Sequence, residues 1–108
     1  MERADYERFP AFSENPHLRK WNLWSYVDES DVAQSVRRAL VADIRGAEAF
    51  VIAAADTVMQ QSTRELMAQI FPTVPVRDGV AGNDTLLGIG KARRVLGYEP
   101  TFSWRTIL

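Results

Sequence analysis

The segment Trp24-Ser-Tyr-Val-Asp-Glu-Ser-Asp-Val-Ala33 decides how this chain is expected to fold. Its first four residues alternate and are rich in strand formers, and Asp28 is a residue type that often caps helices. Beyond it, the apolar residues Val32, Val36, Leu40 and Ile44 recur every four positions, which gives the following helix one apolar face and one polar face. The segment therefore predicts a strand that leads directly into an amphipathic helix.

Two further segments predict strands. The run Ala49-Phe-Val-Ile-Ala-Ala-Ala55 is apolar without alternation, which is typical of a strand covered on both faces. The shorter run Val74-Pro-Val76 is also apolar, and Pro75 confines its strand to the edge of a sheet. Because a helix lies between each pair of strands, parallel pairing through right-handed crossovers is expected.

Two more helices complete the expected fold. Ser62-Thr-Arg-Glu65 is a capping box, and it predicts a second helix that Pro72 terminates. A third helix is expected to begin near Leu87 or Ile89 and to end at Gly97. The sequence thus predicts one small α/β lobe over residues 1–108, with about three helices and a few short, partly parallel strands.

The composition excludes several classes of function. The chain has 108 residues, of which 46% are hydrophobic and 25% charged, as in one folded domain. Thirteen basic and fourteen acidic residues give a net charge of −1, which argues against nucleic acid as a partner. Without cysteine and with one histidine, neither a thiolate nucleophile nor a typical zinc site is expected. The composition favours the cytoplasm, and no apolar run is long enough to span a membrane.

Familiar catalytic motifs are incomplete in this sequence. Gly88-Ile-Gly90 opens like a dinucleotide fingerprint, but Arg93 stands where the third glycine belongs. A phosphate loop would need a glycine at Thr85 and a hydroxyl residue at Ala92. No tyrosine has a lysine four residues later, as an acid/base pair on one helix face would require. The sequence therefore assigns no catalytic residue, no metal site and no cofactor site to this chain.

Four residues are candidates for contact with a substrate. Trp21, Trp24 and Tyr26 can form a stacking wall for a flat ligand, although aromatic residues near a strand often pack in a core instead. Arg77 lies in a loop with glycines and can clamp a phosphate through its planar guanidinium, although many loop arginines are simply solvated. Both interpretations of each residue remain open at this point.

The order and spacing of these segments resemble the C-terminal part of an extended short-chain dehydrogenase/reductase. The similarity extends from Trp24 through the helix to Leu40, residues 49–55 and 62–66, and Lys91-Ala-Arg-Arg-Val-Leu-Gly-Tyr-Glu-Pro100. The nearest branch is the NAD-dependent epimerase/dehydratase group, which includes UDP-glucose 4-epimerase. The resemblance covers nearly the whole chain from Trp24 onward.

This resemblance implies a division of labour between two lobes. Such enzymes bind NAD or NADP in an N-terminal dinucleotide-binding lobe, which also carries a Tyr-Lys catalytic pair, and bind a substrate, often a nucleotide sugar, in a smaller C-terminal lobe. The chain would then be the substrate-binding lobe without the Rossmann lobe, and it would not be catalytically competent alone. Relatives commonly place a diphosphate-binding arginine where Trp24 stands here, while Arg77 falls at or beside their second one. A smaller or less charged substrate than a UDP-sugar is therefore plausible.

A second hypothesis is that the chain is a stand-alone, non-catalytic protein-interaction module derived from the same lobe. A lobe that a larger partner normally covers is expected to expose apolar surface, and such surface tends to self-associate. We therefore expect a homo-oligomer, formed by a contact other than the one usual in the family.

Overall fold

The computed structural model describes residues 1–107 and consists of helices joined by extended and irregular segments. These residues form, in chain order, two 3-10 helices (η) and five α-helices: η1 (Arg3–Arg8), α1 (Phe9–Phe12), η2 (Pro16–Asn22), α2 (Glu29–Val41), α3 (Thr63–Ile70), α4 (Gly90–Leu96) and α5 (Trp104–Ile107). No sheet is formed within residues 1–107, where an isolated bridge joins Asp56 and Asp84. The prediction of an α/β lobe with several strands is therefore wrong, and the described chain is helix-rich.

Of the three segments predicted to be strands, the first two contact each other without forming a ladder. The N–H of Ala54 donates to the carbonyl of Tyr26 at 2.8 Å, and the N–H of Val58 donates to the carbonyl of Trp24 at 2.9 Å. The bonded positions advance in opposite directions along the chain, from 54 to 58 on one side and from 26 to 24 on the other, so the contact is antiparallel and the expected parallel pairing is wrong. Residues 74–76 pair with no other extended segment of the described chain.

Three helices lie where the sequence predicts helices. The side chain of Asp28 caps the N-terminus of α2, and Ser62 begins the capping box of α3. Helix α4 ends at Gly97, whose φ of 71° lies in the left-handed region that glycine tolerates. Helix α2 ends before it reaches Gly46. Local capping chemistry therefore sets three of these six helix ends, as the sequence suggests.

The main core is an aromatic cluster around Phe9. Ring centroids lie 5.1 Å from Phe9 for Tyr6, 5.1 Å for Tyr26 and 5.7 Å for Trp104, all in edge-on arrangements. Aromatic pairs prefer such geometry because the positive ring edge meets the negative ring face. Trp24 and Tyr26, which follow η2, both contribute buried rings to this core.

Helix α2 turns its polar side inward. Asp31 and Ser35 are buried, although both are polar. On the other side, the exposed fractions are 40% for Val32, 55% for Val36 and 81% for Leu40. An amphipathic surface helix usually buries its apolar stripe. The strongest helix signal in the sequence therefore gives a helix whose apolar side faces away from the rest of the described chain.

A smaller apolar cluster lies between α4 and residues 42–52. Its buried members are Ala92, Leu96 and Tyr98, and half-buried residues of the extended segment, including Phe50 and Ile52, pack against them. The alternate residue Val51 is exposed. Residues 49–52 are therefore covered on one side, whereas Ala53 and Ala54 are both buried, so the expected cover on both faces is confined to these two residues.

Candidate functional site

A left-handed turn presents Trp21 to solvent at the end of η2. Leu23 and Trp24 have φ values of 53° and 58°, in a region that bulky residues rarely occupy. Trp24 is buried, and its indole N–H donates to the carbonyl of Pro16 at 2.7 Å. Such strain persists only where the surrounding contacts fix the backbone. Trp24 therefore anchors the turn, and Trp21 is 82% exposed beside it.

A cleft of about 560 Å³, termed here the Trp21 cleft, lies beside this turn. The rings of Trp21 and Phe71 are 6.1 Å apart, and the ammonium of Lys20 is 4.8 Å from the centre of the Trp21 ring. The cleft is lined by Lys20, Trp21, Leu23, Met67, Phe71, Val74, Pro75, Val76, Arg77, Val80, Thr85 and Leu86. A mostly apolar lining with an aromatic ring and a few polar groups is typical of a site for a small organic molecule.

Two cations border the Trp21 cleft. Lys20 belongs to η2, and Arg77 belongs to the loop that follows residues 74–76. Within residues 1–107, no carboxylate forms a salt bridge with either of them. Their positive charge is therefore free to act on an acidic group of a ligand, and Arg77 can do so through two parallel hydrogen bonds.

Arg77 also lines a second cleft of about 420 Å³, termed here the glycine-loop cleft. The two clefts share Arg77, Val80 and Thr85, so they are neighbours on one surface. Arg93 lies in the second cleft and pairs with Glu99 at 3.1 Å. Arg77 therefore borders both clefts, and a ligand that spans them can bring a charged group near it.

The loop that carries Arg77 is tied to α3 by Arg64. The guanidinium Nε of Arg64 donates to the carbonyl of Val80 at 2.8 Å, and its Nη2 donates to the carbonyl of Arg77 at 3.1 Å. Reasoning from the sequence misses Arg64, because bonds to backbone carbonyls leave no residue pattern to recognise. Arg64 is a positioning residue for Arg77.

Asn83 holds the other end of the same loop. Its side-chain amide lies within hydrogen-bond distance of the carbonyls of residues 59–61, with the shortest contact 2.8 Å. The hydroxyl of Thr63 donates to the carbonyl of Asp84 at 2.6 Å. The loop is therefore fixed at both ends, which suits a segment that presents a side chain to a ligand.

Trp24 and Tyr26, which the sequence groups with Trp21 as a stacking wall, lie in the core. Both are buried, and neither lines either cleft. The hydroxyl of Tyr26 donates to Asp56 at 2.6 Å and accepts a backbone N–H at 3.1 Å. Burial, and then the bond to Asp56, raise the pKa of Tyr26 well above its ordinary value. Of the four candidates, the structure brings Trp21 and Arg77 together at one cleft.

An ion pair between Asp56 and Arg105 lies outside both clefts. Arg105 also donates to the carbonyl of Thr57 at 2.9 Å, and the hydroxyl of Ser103 donates to Asp56 at 2.6 Å. These bonds attach the C-terminal segment to the middle of the chain. The cluster has a structural role, since its polar atoms are already bonded to one another.

The described residues contain no group of three or more side chains suited to holding a metal ion. His17 is exposed near the start of η2, where its backbone N–H donates to the side chain of Asn15. No helix within residues 1–107 has the length and apolar character needed to cross a bilayer.

The likeness to extended short-chain dehydrogenases/reductases rests on the order and spacing of short segments. No family model, no curated protein and no solved structure matches this chain. The family assignment therefore stays a prediction.

Proposed function

We propose that this chain is the substrate-binding part of an NAD(P)-dependent oxidoreductase of the epimerase/dehydratase type. One observation carries the proposal: Trp21 and Arg77, selected from the sequence for separate reasons, border the same cleft. The two residues lie far apart in the chain, so folding brings a stacking surface and a cation together. The proposal includes the cytoplasmic location that the composition favours.

The Trp21 cleft suits a ligand with one flat ring and an acidic group. The exposed face of Trp21 can stack on a ring, and Phe71 adds apolar contact at the same wall. Lys20 and Arg77 can then neutralise a phosphate or carboxylate. A nucleotide sugar has these features, and so does a smaller aromatic or nucleoside phosphate.

The tyrosines of this chain are unsuited to passing a proton at neutral pH. All three are buried, and burial is the largest cause that raises each pKa, that of Tyr98 to about 12. The hydroxyls of Tyr6 and Tyr26 donate to carboxylates, and that of Tyr98 donates to the carbonyl of Ala53. The proposal therefore assigns the acid/base residue to another polypeptide segment.

The residues of the glycine-loop cleft do not fit a nicotinamide dinucleotide. Gly88 and Gly90 follow no strand, and they lead into α4, which is 7 residues long. A dinucleotide site would need an open glycine turn between a strand and a helix. We therefore place NAD or NADP in the partner lobe.

Calorimetric titration of the full chain tests the proposal, with UDP-glucose, uridine and NADH as the probes. We expect UDP-glucose to bind with a dissociation constant of about 10 μM to 1 mM. Trp21→Ala should weaken binding of UDP-glucose and uridine about tenfold, because the stacking surface is lost. Arg77→Gln should weaken UDP-glucose about tenfold and leave uridine almost unchanged, because uridine carries no charge.

Leu18→Ala is the matched control, because Leu18 is an exposed apolar residue of η2 outside the Trp21 cleft. This variant should bind all probes like the unchanged chain. Binding of UDP-glucose that is insensitive to both cleft variants would contradict the proposed site. Tight binding of NADH would contradict the proposal that the cofactor and the substrate bind to separate lobes.

The alternative function, a stand-alone protein-interaction module, is favoured by the exposed apolar residues of α2. The same titration separates the two functions. An interaction module has no reason to bind UDP-glucose, whereas it should retain any association through α2 after the Trp21 cleft is altered.

A further inference from the structure

The Trp21 cleft contains few polar side chains. Apart from Lys20, Arg77 and Thr85, the side chains that line it are hydrocarbon, aromatic or thioether. No carboxylate or carboxamide of residues 1–107 lines it. The hydroxyl of Thr85 already accepts the N–H of Leu87 at 3.2 Å. The cleft therefore offers cations to a ligand but few side-chain acceptors for the donors of that ligand.

Backbone carbonyls of the cleft wall are also engaged within the chain. Those of Arg77 and Val80 accept hydrogen bonds from Arg64, at 3.1 and 2.8 Å. Those of Met67 and Phe71 accept backbone N–H groups, at 2.9 and 3.0 Å. A ligand hydroxyl that leaves water for this wall loses hydrogen bonds without full replacement, which costs free energy. The wall therefore favours a ligand whose body carries few donors.

A nucleotide sugar is poorly matched to this lining. The edge of its base carries a donor and acceptors, and its sugars carry several hydroxyls, all of which need partners when they are buried. A flat hydrocarbon ring has no such requirement, and it gains free energy from contact with Trp21, Met67 and Phe71. The ring that this cleft favours is therefore apolar.

The cations of the cleft determine the other part of the ligand. The ammonium of Lys20 lies 4.8 Å from the centre of the Trp21 ring, so a positive charge lies next to the stacking surface. Arg77 borders the same cleft from another segment of the chain. Because these cations are accompanied by no carboxylate among the described lining residues, the cleft attracts an acidic group and disfavours a cationic one.

We propose that the ligand of the Trp21 cleft is an aryl acid, namely a flat apolar ring system that carries a carboxylate or phosphate and few or no hydroxyls. The ring system packs on Trp21 and Phe71, and the acidic group pairs with Lys20 and Arg77. The inference rests on the proposed function, because it takes this cleft to be the substrate site. Among the ligands that the proposed function allows, it selects the small aromatic acid over the nucleotide sugar.

Calorimetric titration of the full chain with two phosphate monoesters tests the body of the ligand. Naphthyl phosphate and uridine monophosphate both carry a flat ring and a phosphate, and they differ in the hydroxyls and in the polar edge of the base. We expect naphthyl phosphate to bind at least about tenfold more tightly, because the cleft leaves donors of the nucleotide without partners. Naphthylacetate replaces the phosphate by a carboxylate, so the tighter of the two naphthyl acids identifies the acidic group.

Lys20→Gln tests the role of the acidic group. This variant should bind naphthyl phosphate and naphthylacetate about tenfold more weakly and should bind the uncharged naphthylethanol almost unchanged. Trp21→Ala should weaken binding of all these naphthyl compounds about tenfold, because the stacking surface is lost. Leu18→Ala, outside the cleft, should bind them like the unchanged chain. Circular dichroism verifies that each variant is folded.

Failure of this inference and failure of the proposed function give different results. Uridine monophosphate that binds through Trp21 as tightly as naphthyl phosphate would overturn the aryl acid and leave the substrate-binding role in place. Naphthyl acids that bind through Trp21 and Lys20, together with tight binding of NADH, would support the aryl acid and contradict the proposed function. No binding of naphthyl phosphate, or binding that neither cleft variant weakens, would overturn the inference.

Discussion

Helices α2 and α3 have similar apolar patterns and opposite surroundings. On α3, Leu66 and Met67 are buried in the aromatic core. On α2, the stripe from Val32 to Leu40 lies at the surface, while Asp31 is buried. The comparison teaches that the pattern determines which side of a helix is apolar, whereas the rest of the fold determines what covers that side.

The two helices differ because different parts of the chain pack against them. Helix α3 packs against η2, and its apolar side closes the core. Helix α2 instead meets the backbone N–H groups of Thr101 and Phe102, which need acceptors, and Asp31 supplies them. A carboxylate bonded by several donors is well accommodated, whereas those N–H groups would be costly to bury unpaired.

The largest expected effect on stability comes from shortening Leu66 on α3, and the matched change on α2 is at Val36. Leu66→Ala should lower the free energy of unfolding by about 2–5 kcal/mol, because it leaves a cavity in a packed core. Val36→Ala should change it by less than about 0.5 kcal/mol, because the side chain is already in water. Urea denaturation at low protein concentration, where any dimer dissociates, measures both. Equal losses would show that α2 is covered in solution.

A smaller effect is expected from the polar side of α2. Asp31→Ala should cost about 2–3 kcal/mol, because the N–H groups of Thr101 and Phe102 lose a charged acceptor. The control is Asp43→Ala, which removes an exposed carboxylate just beyond the same helix and should have little effect. Equal costs in the two variants would contradict the idea that Asp31 fixes the orientation of α2.

The smallest effect concerns Tyr98 and is visible at high pH. Burial, and then the charge of Asp31, raise the pKa of Tyr98 from 10.0 to about 12. Between these values the unfolded chain has released the proton and the folded chain retains it, so the free energy of unfolding falls as pH rises through this window. The raised pKa values of Tyr6 and Tyr26 act in the same direction.

Two variants isolate the contribution of Tyr98. Tyr98→Phe should make the loss of stability above pH 10.0 less steep. Asp31→Asn should lower the pKa of Tyr98, because it removes the second cause of the increase. Tyrosinate absorbance measured against the Tyr98→Phe chain reports that pKa, and an unchanged value would show that α2 does not act on Tyr98.

The sequence predicts the parts of the fold that depend on local chemistry. Ser62 and Asp28 cap their helices through bonds to residues within one turn, and Gly97 ends α4 through its own conformational freedom. The predicted strands are wrong because a sheet depends on contacts between segments that are distant in the chain. Residues 49–55 have the composition of a buried strand, but a ladder requires neighbouring segments in register, which sequence composition does not specify.

The candidate site likewise contains residues that the sequence identifies and residues that it does not. Trp21 and Arg77 are recognisable because a planar ring and a planar cation have chemistry of their own, whatever surrounds them. Trp24 and Tyr26 have the same ring chemistry, and the fold uses it for the core instead. Arg64 acts on backbone carbonyls that approach it only after folding, so no residue pattern could have identified it.

The left-handed pair Leu23 and Trp24 restricts the choice of amino acid at position 23 from two directions. A positive φ favours glycine there, but glycine would remove a side chain from the lining of the Trp21 cleft. A β-branched residue would retain bulk and would clash with its own backbone in that conformation. A side chain without a branch at Cβ, such as leucine, retains bulk in the wall of the cleft and avoids that clash. The wall is therefore formed with a backbone conformation that is more strained than it would be with glycine.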